Sequence, residues 1–452
     1  MWSKIANFSD RFIAKYIPES FPLSFVLLIL VMILSLFLTD TSLPQVFNIT
    51  GYGTASLLSF SMEIVLNMVL GYVFAQAPPI KRMLVRVAKS LKGTVSCIFW
   101  VAVISNIIHW INVTVGMLAA AVLANEVIRN NREVRPGLVV AAAYAGMIPS
   151  AIGFSPAIIS TVATEGNAFV DIMGGSIVPR SLTSFNPAVL GLSLVLVFGM
   201  AVVFALMTPK NYVNPLYVGS SELDCEQEGY DAAEQDYKKD AAKFVTAMES
   251  GRIWPTVCGI LILAAGVAWF TVGKCGVTFD WINCMLLGGS ILAWGNMIKF
   301  GKCTAEACKT MWGVVACYPV YACIMKIMTD SGLGGVMSKW IVSISTADTL
   351  PVFTYLSAGL VNIFVPSAGG QWAVQAPFVA PAAISLGTDM WKTVIPVALG
   401  DCWTNMLQPF WAIPILGICR VKVKEMIPYT FAIAVFAGIA GCLWFGLVFP
   451  FF

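Results

Sequence analysis

The chain contains a succession of apolar segments, each about 20 residues long and almost free of charged side chains. A helix of that length crosses the hydrocarbon core of a bilayer. Hydrophobic residues occupy 58% of the 452 positions and charged residues 11%, which excludes a soluble globular domain. The net charge of +3 is small and spread over loops, so no nucleic acid partner is expected. The sequence predicts an all-α, polytopic membrane protein whose surroundings are the lipid bilayer.

Nine apolar segments are predicted to cross the membrane as helices. They are residues 22–39, 54–77, 137–163, 187–208, 254–271, 282–298, 307–329, 391–417 and 427–449. Two further segments, 94–124 and 350–381, are too long for one helix and are broken in the middle, which favours re-entrant hairpins. Residues 1–18 carry charges ahead of the first apolar segment and no small-residue cleavage pattern follows, so we expect an interfacial helix and not a signal peptide.

Residues 362–377, NIFVPSAGGQWAVQAP, place helix breakers and polar side chains within an apolar region. Pro366 removes a backbone donor, while Gly369 and Gly370 allow backbone angles that other residues resist. One helix is predicted to end near residue 365 and another to begin at about residue 371. Non-helical backbone at membrane depth is tolerated only inside protein or beside a wet cavity. The break therefore predicts a cavity.

The positions of Lys and Arg predict the orientation, because cytoplasmic loops collect basic residues. Basic residues precede the first span, follow the second and follow the first hairpin, whereas residues 40–53 contain none. This pattern predicts a cytoplasmic amino terminus, a first hairpin open to the cytoplasm, a second open to the outside and an external carboxyl terminus. Lys339 and Lys392 fall on the outer side and fit this scheme poorly.

The segments have the same order in both halves of the chain: span, span, hairpin, broken span, span. Residues 1–208 form the predicted first repeat and residues 282–452 the second. Residues 209–252, with nine Asp/Glu and five Lys/Arg, are interpreted as a cytoplasmic linker, and residues 253–281 as an extra connecting span. One extra crossing inverts the second repeat, and inverted repeats recur in secondary transporters.

Polar residues are concentrated where the predicted helices break. They are Asn106, His109, Asn112 and Thr114 in the first hairpin and Asn362, Ser367, Gln371 and Gln375 in the second. The spans that follow the hairpins are both interrupted by proline, within residues 146–156 and 400–410. Four broken elements are therefore predicted to converge on one cavity. Hydrogen bonding between helices is the alternative explanation for any one of these residues.

Ionisable residues at membrane depth are few and usually functional; here they are Glu63, His109, Lys326 and Asp401. Glu63 either faces a cavity or pairs with Lys326, and a structural pair is favoured. His109 either binds substrate or a proton, or packs through a hydrogen bond. A hydrolase dyad of Ser367 and His109 is a distant alternative, because Ser367 lacks a nucleophile motif. Twelve scattered cysteines without a Cys-x-x-Cys pair predict no metal site.

Two segments, VPSAGGQWAVQAP at 365–377 and GDCWTNMLQPFWAIPILGI at 400–418, resemble the bacterial short-chain fatty acid transporter family. The similarity runs along nearly the whole chain, but residues 105–116 depart from the tryptophan- and glycine-rich hairpin expected there. The family in turn resembles the ion transporter superfamily, whose paired-hairpin carriers move carboxylates by an elevator-like shift. The resemblance implies a carrier and not an enzyme, located in the inner (plasma) membrane of a bacterium, and it is compatible with a homodimer.

We therefore expect a secondary active transporter of short-chain fatty acids or related monocarboxylates, such as butyrate or acetoacetate. The substrate class follows from the resemblance alone, and another organic anion, such as a dicarboxylate, is the main alternative. Since the predicted site contains no arginine, the carboxylate is expected to bind half-helix amides near Ser367, Gly369 and Gly370. The further predicted substrate-binding residues are Trp372, Trp403, Thr404, Asn405 and Gln408, with Trp110 and Phe410 beside the alkyl tail.

Accumulation of an anion in a negative interior requires a compensating positive charge, since moving one charge costs about 2.3 kcal/mol per 100 mV. A coupling cation, Na⁺ or H⁺, is therefore expected, and no other cofactor. Asp401 is its predicted ligand, together with Asn106 and Asn362. The alternative role for Asp401 is to cap the start of a helix, where a carboxylate is stabilised.

Overall fold

We describe a computed structural model of the chain. It covers residues 20–452 apart from 92, 155, 165–166, 168, 176, 210–211, 219–229, 231–241, 274–278, 365 and 367. The described residues form α-helices, short 3₁₀ segments and turns, and no β-strand occurs among them. The predicted all-α class is thus confirmed. The interfacial helix predicted at residues 1–18 lies outside the described residues, as do most residues of the predicted linker.

The first half of the chain forms ten helices within the described residues. They are α1 (Ser20–Leu38), α2 (Leu43–Gly53), α3 (Leu58–Gln76), α4 (Pro78–Ser90), α5 (Thr94–Ile111), α6 (Val113–Asn130), α7 (Pro136–Tyr144), α8 (Met147–Ser150), α9 (Ala157–Val162) and α10 (Pro187–Leu206). Proline stands at the first or second position of α2, α4, α7 and α10, because its fixed φ and missing N–H suit a first helical turn. Helices α2 and α4 occupy stretches that were predicted as loops.

The second half of the chain forms eleven helices within the described residues. They are α11 (Lys243–Glu249), α12 (Ile253–Thr271), α13 (Phe279–Trp294), α14 (Met297–Cys308), α15 (Trp312–Asp330), α16 (Leu333–Val342), α17 (Leu350–Asn362), α18 (Ala368–Leu386), α19 (Trp391–Trp403), α20 (Ile413–Cys419) and α21 (Val423–Leu447). Segments of 3₁₀ helix occur at Lys309–Met311, Thr404–Met406 and Phe449–Phe451. The predicted spans 137–163 and 391–417 are both divided, the first into α7 to α9 and the second into α19 and α20.

Four helical segments in the described part of the chain are long and apolar enough to cross a membrane unaided: α5, α10, α12 and Val423–Phe451. Helix α3 with α4 is a fifth candidate, bent by 70° where the two helices meet. Shorter apolar helices lie at Ser24–Leu38, Pro136–Ser150, Leu350–Asn362 and Val374–Leu386. The chain is therefore a membrane protein by composition and helix length, while the count of nine crossings and two re-entrant hairpins stays a prediction.

Small residues let the broken elements pack closely. A Cβ atom at Gly116 would overlap the backbone of His109, so only glycine allows α6 to turn back along α5 after the extended residue Asn112. In the second half, a Cβ atom at Gly400 would lie only 2.5 Å from the Cβ of Ala358. Because glycine has no Cβ atom, α17 can lie directly against α19. In both halves, the helices of the predicted hairpin pack on the broken span that follows them, and the inversion of the repeats stays a prediction.

One predicted ion pair is wrong. The Nζ atom of Lys326 lies 2.8 Å from a carboxylate oxygen of Asp330, one turn along α15, and the Lys326 ammonium also lies over the ring of Tyr52. The backbone oxygen of Glu63, in α3, accepts a hydrogen bond from the side chain of Asn283 in α13 over 3.0 Å. A pair within one helical turn forms locally, whereas the Glu63–Lys326 pair would have required two separate helices to meet.

Candidate functional site

A cavity of about 220 Å³ lies where the four broken elements meet. Its walls come from the beginning of α6, from α8 and α9, from the first residue of α18, and from α19 with the turns after it. Its polar lining residues are Ser150, Asp401, Cys402 and Asn405. Its larger apolar lining residues are Val113, Met117, Met147, Ile158 and Trp411. No Lys or Arg is among the described residues that line it.

Asn362 connects the two broken elements of the second half. This residue ends α17, is fully buried, and donates through Nδ2 to Oγ1 of Thr404 at 3.0 Å and to Oδ1 of Asn405 at 2.9 Å. Gln408 donates to the same Asn405 oxygen over 2.9 Å, and Thr404 donates to the carbonyl oxygen of Gly359 over 2.7 Å. Four of the predicted site residues therefore form one hydrogen-bonded cluster, of which Asn405 reaches the cavity.

Asp401 is the charged residue in the cavity lining. Its Oδ2 atom accepts a weak hydrogen bond from the Cys402 thiol at 3.6 Å, while Oδ1 is buried without a donor among the described residues. Helix α19 begins at Trp391, so Asp401 lies in the last turn, where the helix dipole disfavours a negative charge. The alternative that Asp401 caps a helix start is therefore wrong. A carboxylate in this position requires a proton or a cation to offset its desolvation.

The amino-terminal end of α18 reaches the cavity through Ala368. Gly369 and Gly370 lie in the first helical turn, whose backbone N–H groups have no partner within the helix. Ser367, directly before the helix, lies outside the described residues. The predicted amide site for a carboxylate thus coincides with a helix start at the cavity wall, although the helix begins three residues earlier than residue 371.

Gln371 and Gln375 serve the packing of the second hairpin. Gln371 donates through Nε2 to the carbonyl oxygen of Ala358 at 2.9 Å and to Oε1 of Gln375 at 3.1 Å. Gln375 donates in turn to Oγ of Ser357 at 2.9 Å. These bonds fasten α18 to α17, and neither glutamine lines the cavity. The neighbouring Trp372 is buried as well and does not line it.

In the first predicted hairpin, the polar residues bond to backbone groups of their own helix or of a neighbouring one. Asn106 donates through Nδ2 to the carbonyl oxygen of Val197 in α10 at 3.0 Å, and Nδ1 of His109 lies 2.9 Å from the carbonyl oxygen of Ser105. Asn112 accepts the backbone N–H of Val115 at 3.0 Å and so caps α6. None of these three predicted residues lines the cavity. Thr114 lies in α6, and its side chain is outside the described set.

The aromatic residues divide between packing and the cavity. Trp403 stacks on Tyr355 with ring centroids 4.6 Å apart, and Phe410 stacks on Tyr318 at 4.4 Å. Trp110 donates to a hydroxyl group of α10. The tryptophan that lines the cavity is Trp411, which sequence reasoning missed although it lies in the quoted segment 400–418. Its Nε1 donates to the carbonyl oxygen of Pro366 at 2.9 Å, so it joins the two breaks.

Sequence reasoning also missed Ser150, Met117, Met147 and Cys402 as lining residues. The sequence did point to Met147 and Ser150, because both lie within residues 146–156, the proline-interrupted segment that corresponds to residues 400–410. Backbone contacts explain why this segment reaches the site: the N–H of Phe154 donates to the carbonyl oxygen of Trp110 over 2.7 Å. The first broken span is thereby held against the end of α5.

The chain has apolar helices long enough to cross a bilayer and interrupted helices around a small cavity. These features define a polytopic membrane protein of the kind that secondary transporters represent. The family model for the short chain fatty acid transporter matches residues 1–449. The chain therefore belongs to the short-chain fatty acid transporter family, and it is a transporter and not an enzyme. The hydrolase alternative is rejected.

Two curated relatives agree with this assignment. A protein of Escherichia coli (strain K12), described provisionally as a short-chain fatty acid transporter, is 30% identical over 442 residues, which cover 97% of this chain and 98% of the relative. A protein of Haemophilus influenzae with the same description is 28% identical over 447 residues, again 97% of this chain and 98% of the relative. The likeness therefore extends over the whole of both proteins.

Two solved structures are more distantly similar. The YdaH transporter of Alcanivorax borkumensis has a TM-score of 0.42 and 17% identity, with 96% of this chain and 99% of that chain covered. The efflux pump MtrF of Neisseria gonorrhoeae has a TM-score of 0.35 and 15% identity, with 95% and 96% covered. Both TM-scores lie below 0.5, so neither likeness bears on the site or the mechanism of this chain.

Proposed function

We propose that this protein is a secondary active transporter of short-chain fatty acids or closely related small monocarboxylates, and that the cavity between the four broken elements holds the substrate. The observation behind the proposal is the cavity itself. Its volume of about 220 Å³ is smaller than the roughly 300–1,000 Å³ typical of sites for drug-sized ligands. Mainly apolar walls with four polar lining residues suit a short alkyl chain that carries one polar group.

The carboxylate of the substrate binds at the beginning of α18 in this proposal. The N–H groups of the first turn and the positive end of the helix dipole both favour an anion, and Ala368 brings this turn to the cavity wall. The alkyl tail extends toward Met117, Met147 and Ile158. The absence of Lys and Arg from the described lining disfavours a dicarboxylate, because a second buried negative charge would have no partner.

Transport is coupled to a cation in this proposal, and Asp401 takes part in binding it. A substrate carboxylate and the Asp401 carboxylate cannot both be charged in one small apolar cavity without a proton or Na⁺ to offset the repulsion. The free Oδ1 atom of Asp401 is the available acceptor. The two other predicted ligands, Asn362 and Asn106, each also have a buried side-chain oxygen without a donor among the described residues.

We further propose that substrate crosses by an elevator-like movement of the broken elements as one body. The hydrogen bonds from Asn362 to Asn405 and from Trp411 to Pro366 support a shared movement, since they join the second hairpin to the span after it. The setting is the inner membrane of a bacterium, with the amino terminus cytoplasmic, the carboxyl terminus external, and a homodimer as the assembly. The orientation rests on the positions of Lys and Arg in the sequence.

The direct test is uptake into proteoliposomes that contain the purified full-length protein. Labelled butyrate and acetoacetate are expected to accumulate when an ion gradient is imposed, and unlabelled short monocarboxylates are expected to compete. Succinate is expected to do neither. Accumulation of succinate without uptake of any monocarboxylate would contradict the proposal and favour the dicarboxylate alternative. Empty vesicles and vesicles with the Gly369→Val variant provide the background.

A further inference from the structure

Helix α4 leaves α3 at an angle that suits the membrane surface. α3 and α4 are bent by 70° relative to each other, with Pro78 at the start of α4. If α3 crosses the bilayer, a helix at this angle lies closer to the membrane plane than to its normal. One side of α4 packs against α6. The other side, called the outer face below, carries the exposed residues of the helix. An interfacial helix is the natural description of this geometry.

The exposed side of α4 combines basic and apolar strips. Arg82, Arg86 and Lys89 are exposed and follow one another at helical spacings of four and three residues, and α4 contains no acidic residue. Met83 and Val87 form an adjacent strip, with 52% and 39% of their surface exposed. No carboxylate among the described residues pairs with the three basic side chains.

The inner side of the same helix explains how it stays fixed. Ala88 is buried and Lys81 is almost fully buried, so a face of the helix apart from the basic strip is packed against the protein. Helix α6, against which α4 packs, supplies Val113 and Met117 to the substrate cavity. A ligand on the outer face of α4 therefore lies next to a helix that also lines the cavity.

We propose that the outer face of α4 binds the anionic headgroups of membrane phospholipids. The three basic side chains match the negative charge of phosphate-containing headgroups, and the strip of Met83 and Val87 enters the region of the acyl chains beside them. A soluble anion would satisfy the charges but would leave the apolar strip in water. The combination of both strips on one exposed face therefore selects a lipid surface.

The test measures lipid binding directly, so its outcome does not depend on transport. Phosphatidylglycerol is titrated into the purified full-length protein, and bound lipid is counted by native mass spectrometry, with phosphatidylcholine as the neutral probe. The triple variant R82Q/R86Q/K89Q is expected to bind phosphatidylglycerol about a hundredfold more weakly, since each basic residue near an anionic surface contributes roughly fivefold. Binding of phosphatidylcholine is expected to stay unchanged.

Two further variants keep the test decisive. The variant R420Q/K422Q/K424Q removes three basic residues before and at the start of α21, and it is expected to bind phosphatidylglycerol as the wild type does. The charge-conserving variant R82K/R86K/K89R is expected to bind normally, which excludes misfolding as the cause of a loss. Equal binding of both lipids by the wild type would overturn the proposal. Normal phosphatidylglycerol binding by R82Q/R86Q/K89Q would also overturn the proposal. If that variant instead changed the oligomeric state without changing lipid binding, the outer face of α4 would be a protein–protein contact.

Discussion

The side-chain nitrogen of Asn362 donates a hydrogen bond to the side-chain oxygen of Asn405 over 2.9 Å and so joins the end of α17 to the turn after α19. Asn405 lines the cavity four residues beyond Asp401, whereas Asn362 supports it from behind. The two breaks of the second half are therefore one unit. A change at either asparagine is expected to affect the position of the other, and this coupling underlies the predictions for the site.

Asp401→Asn is expected to separate exchange from accumulation. The substitution preserves the shape of the side chain but removes the charge that would bind a proton or Na⁺. The variant should exchange labelled butyrate across vesicles at equal concentrations, yet it should not accumulate butyrate against a gradient. Asp389→Asn, an exposed acid near Lys392, is the matched control and should accumulate normally. Wild-type accumulation by Asp401→Asn would reject the coupling role, and removal of Na⁺ or of the pH gradient identifies the ion.

Asn362→Ala is expected to destabilise the protein and to weaken substrate binding. Without the Asn362 amide, Oγ1 of Thr404 and Oδ1 of Asn405 each lose a hydrogen-bond donor, and Asn405 keeps only the one from Gln408 among side chains of the described residues. The free energy of unfolding is expected to fall by about 1–3 kcal/mol. Thermal unfolding in detergent, with and without butyrate, measures both effects. Asn48→Ala, at an exposed position of α2, should change the free energy of unfolding by less than about 0.5 kcal/mol. Equal behaviour of the two variants would contradict a role for the Asn362 cluster.

Gly369→Val and Gly370→Val are each expected to abolish uptake while the protein still folds. A β-branched side chain in the first turn of α18 prevents a carboxylate from approaching the backbone amides. Gly301→Val is the matched control, because Gly301 is also helical and a Cβ atom there would meet no atom within 4 Å. Loss of uptake in this control as well would indicate a general cost of valine in a helix. Normal butyrate affinity in both test variants would place the carboxylate elsewhere.

Met147→Ala is expected to shift the preferred chain length of the substrate upward. The shorter side chain enlarges the cavity next to the proposed alkyl tail, and each additional buried methylene contributes about 0.8 kcal/mol, or about fourfold in affinity. Competition of acids from two to six carbons against labelled butyrate measures the preference. Met62→Ala, exposed on α3, should leave it unchanged. An unchanged ratio of hexanoate to butyrate in Met147→Ala would mean that the tail points away from Met147.

The sequence by itself determined the fold class and the location of the breaks. Apolar runs of bilayer length form helices, because a helix satisfies its backbone hydrogen bonds within the one segment that lipid surrounds. Pro366 placed the interruption between α17 and α18, since a helix cannot pass a proline without losing a hydrogen bond. The two motifs at 365–377 and 400–418 were sufficient for the family.

The tertiary structure decided which polar side chains meet the cavity. Asp401 and Asn405 line it, whereas Gln371, Asn106 and Trp403 are directed to packing by partners that only the folded chain brings near. A sequence shows that a polar residue lies at membrane depth, but the side of the helix that faces the cavity depends on how that helix is rotated against its neighbours. That rotation is set by contacts between elements far apart in the chain, so it becomes fixed only when those elements pack together.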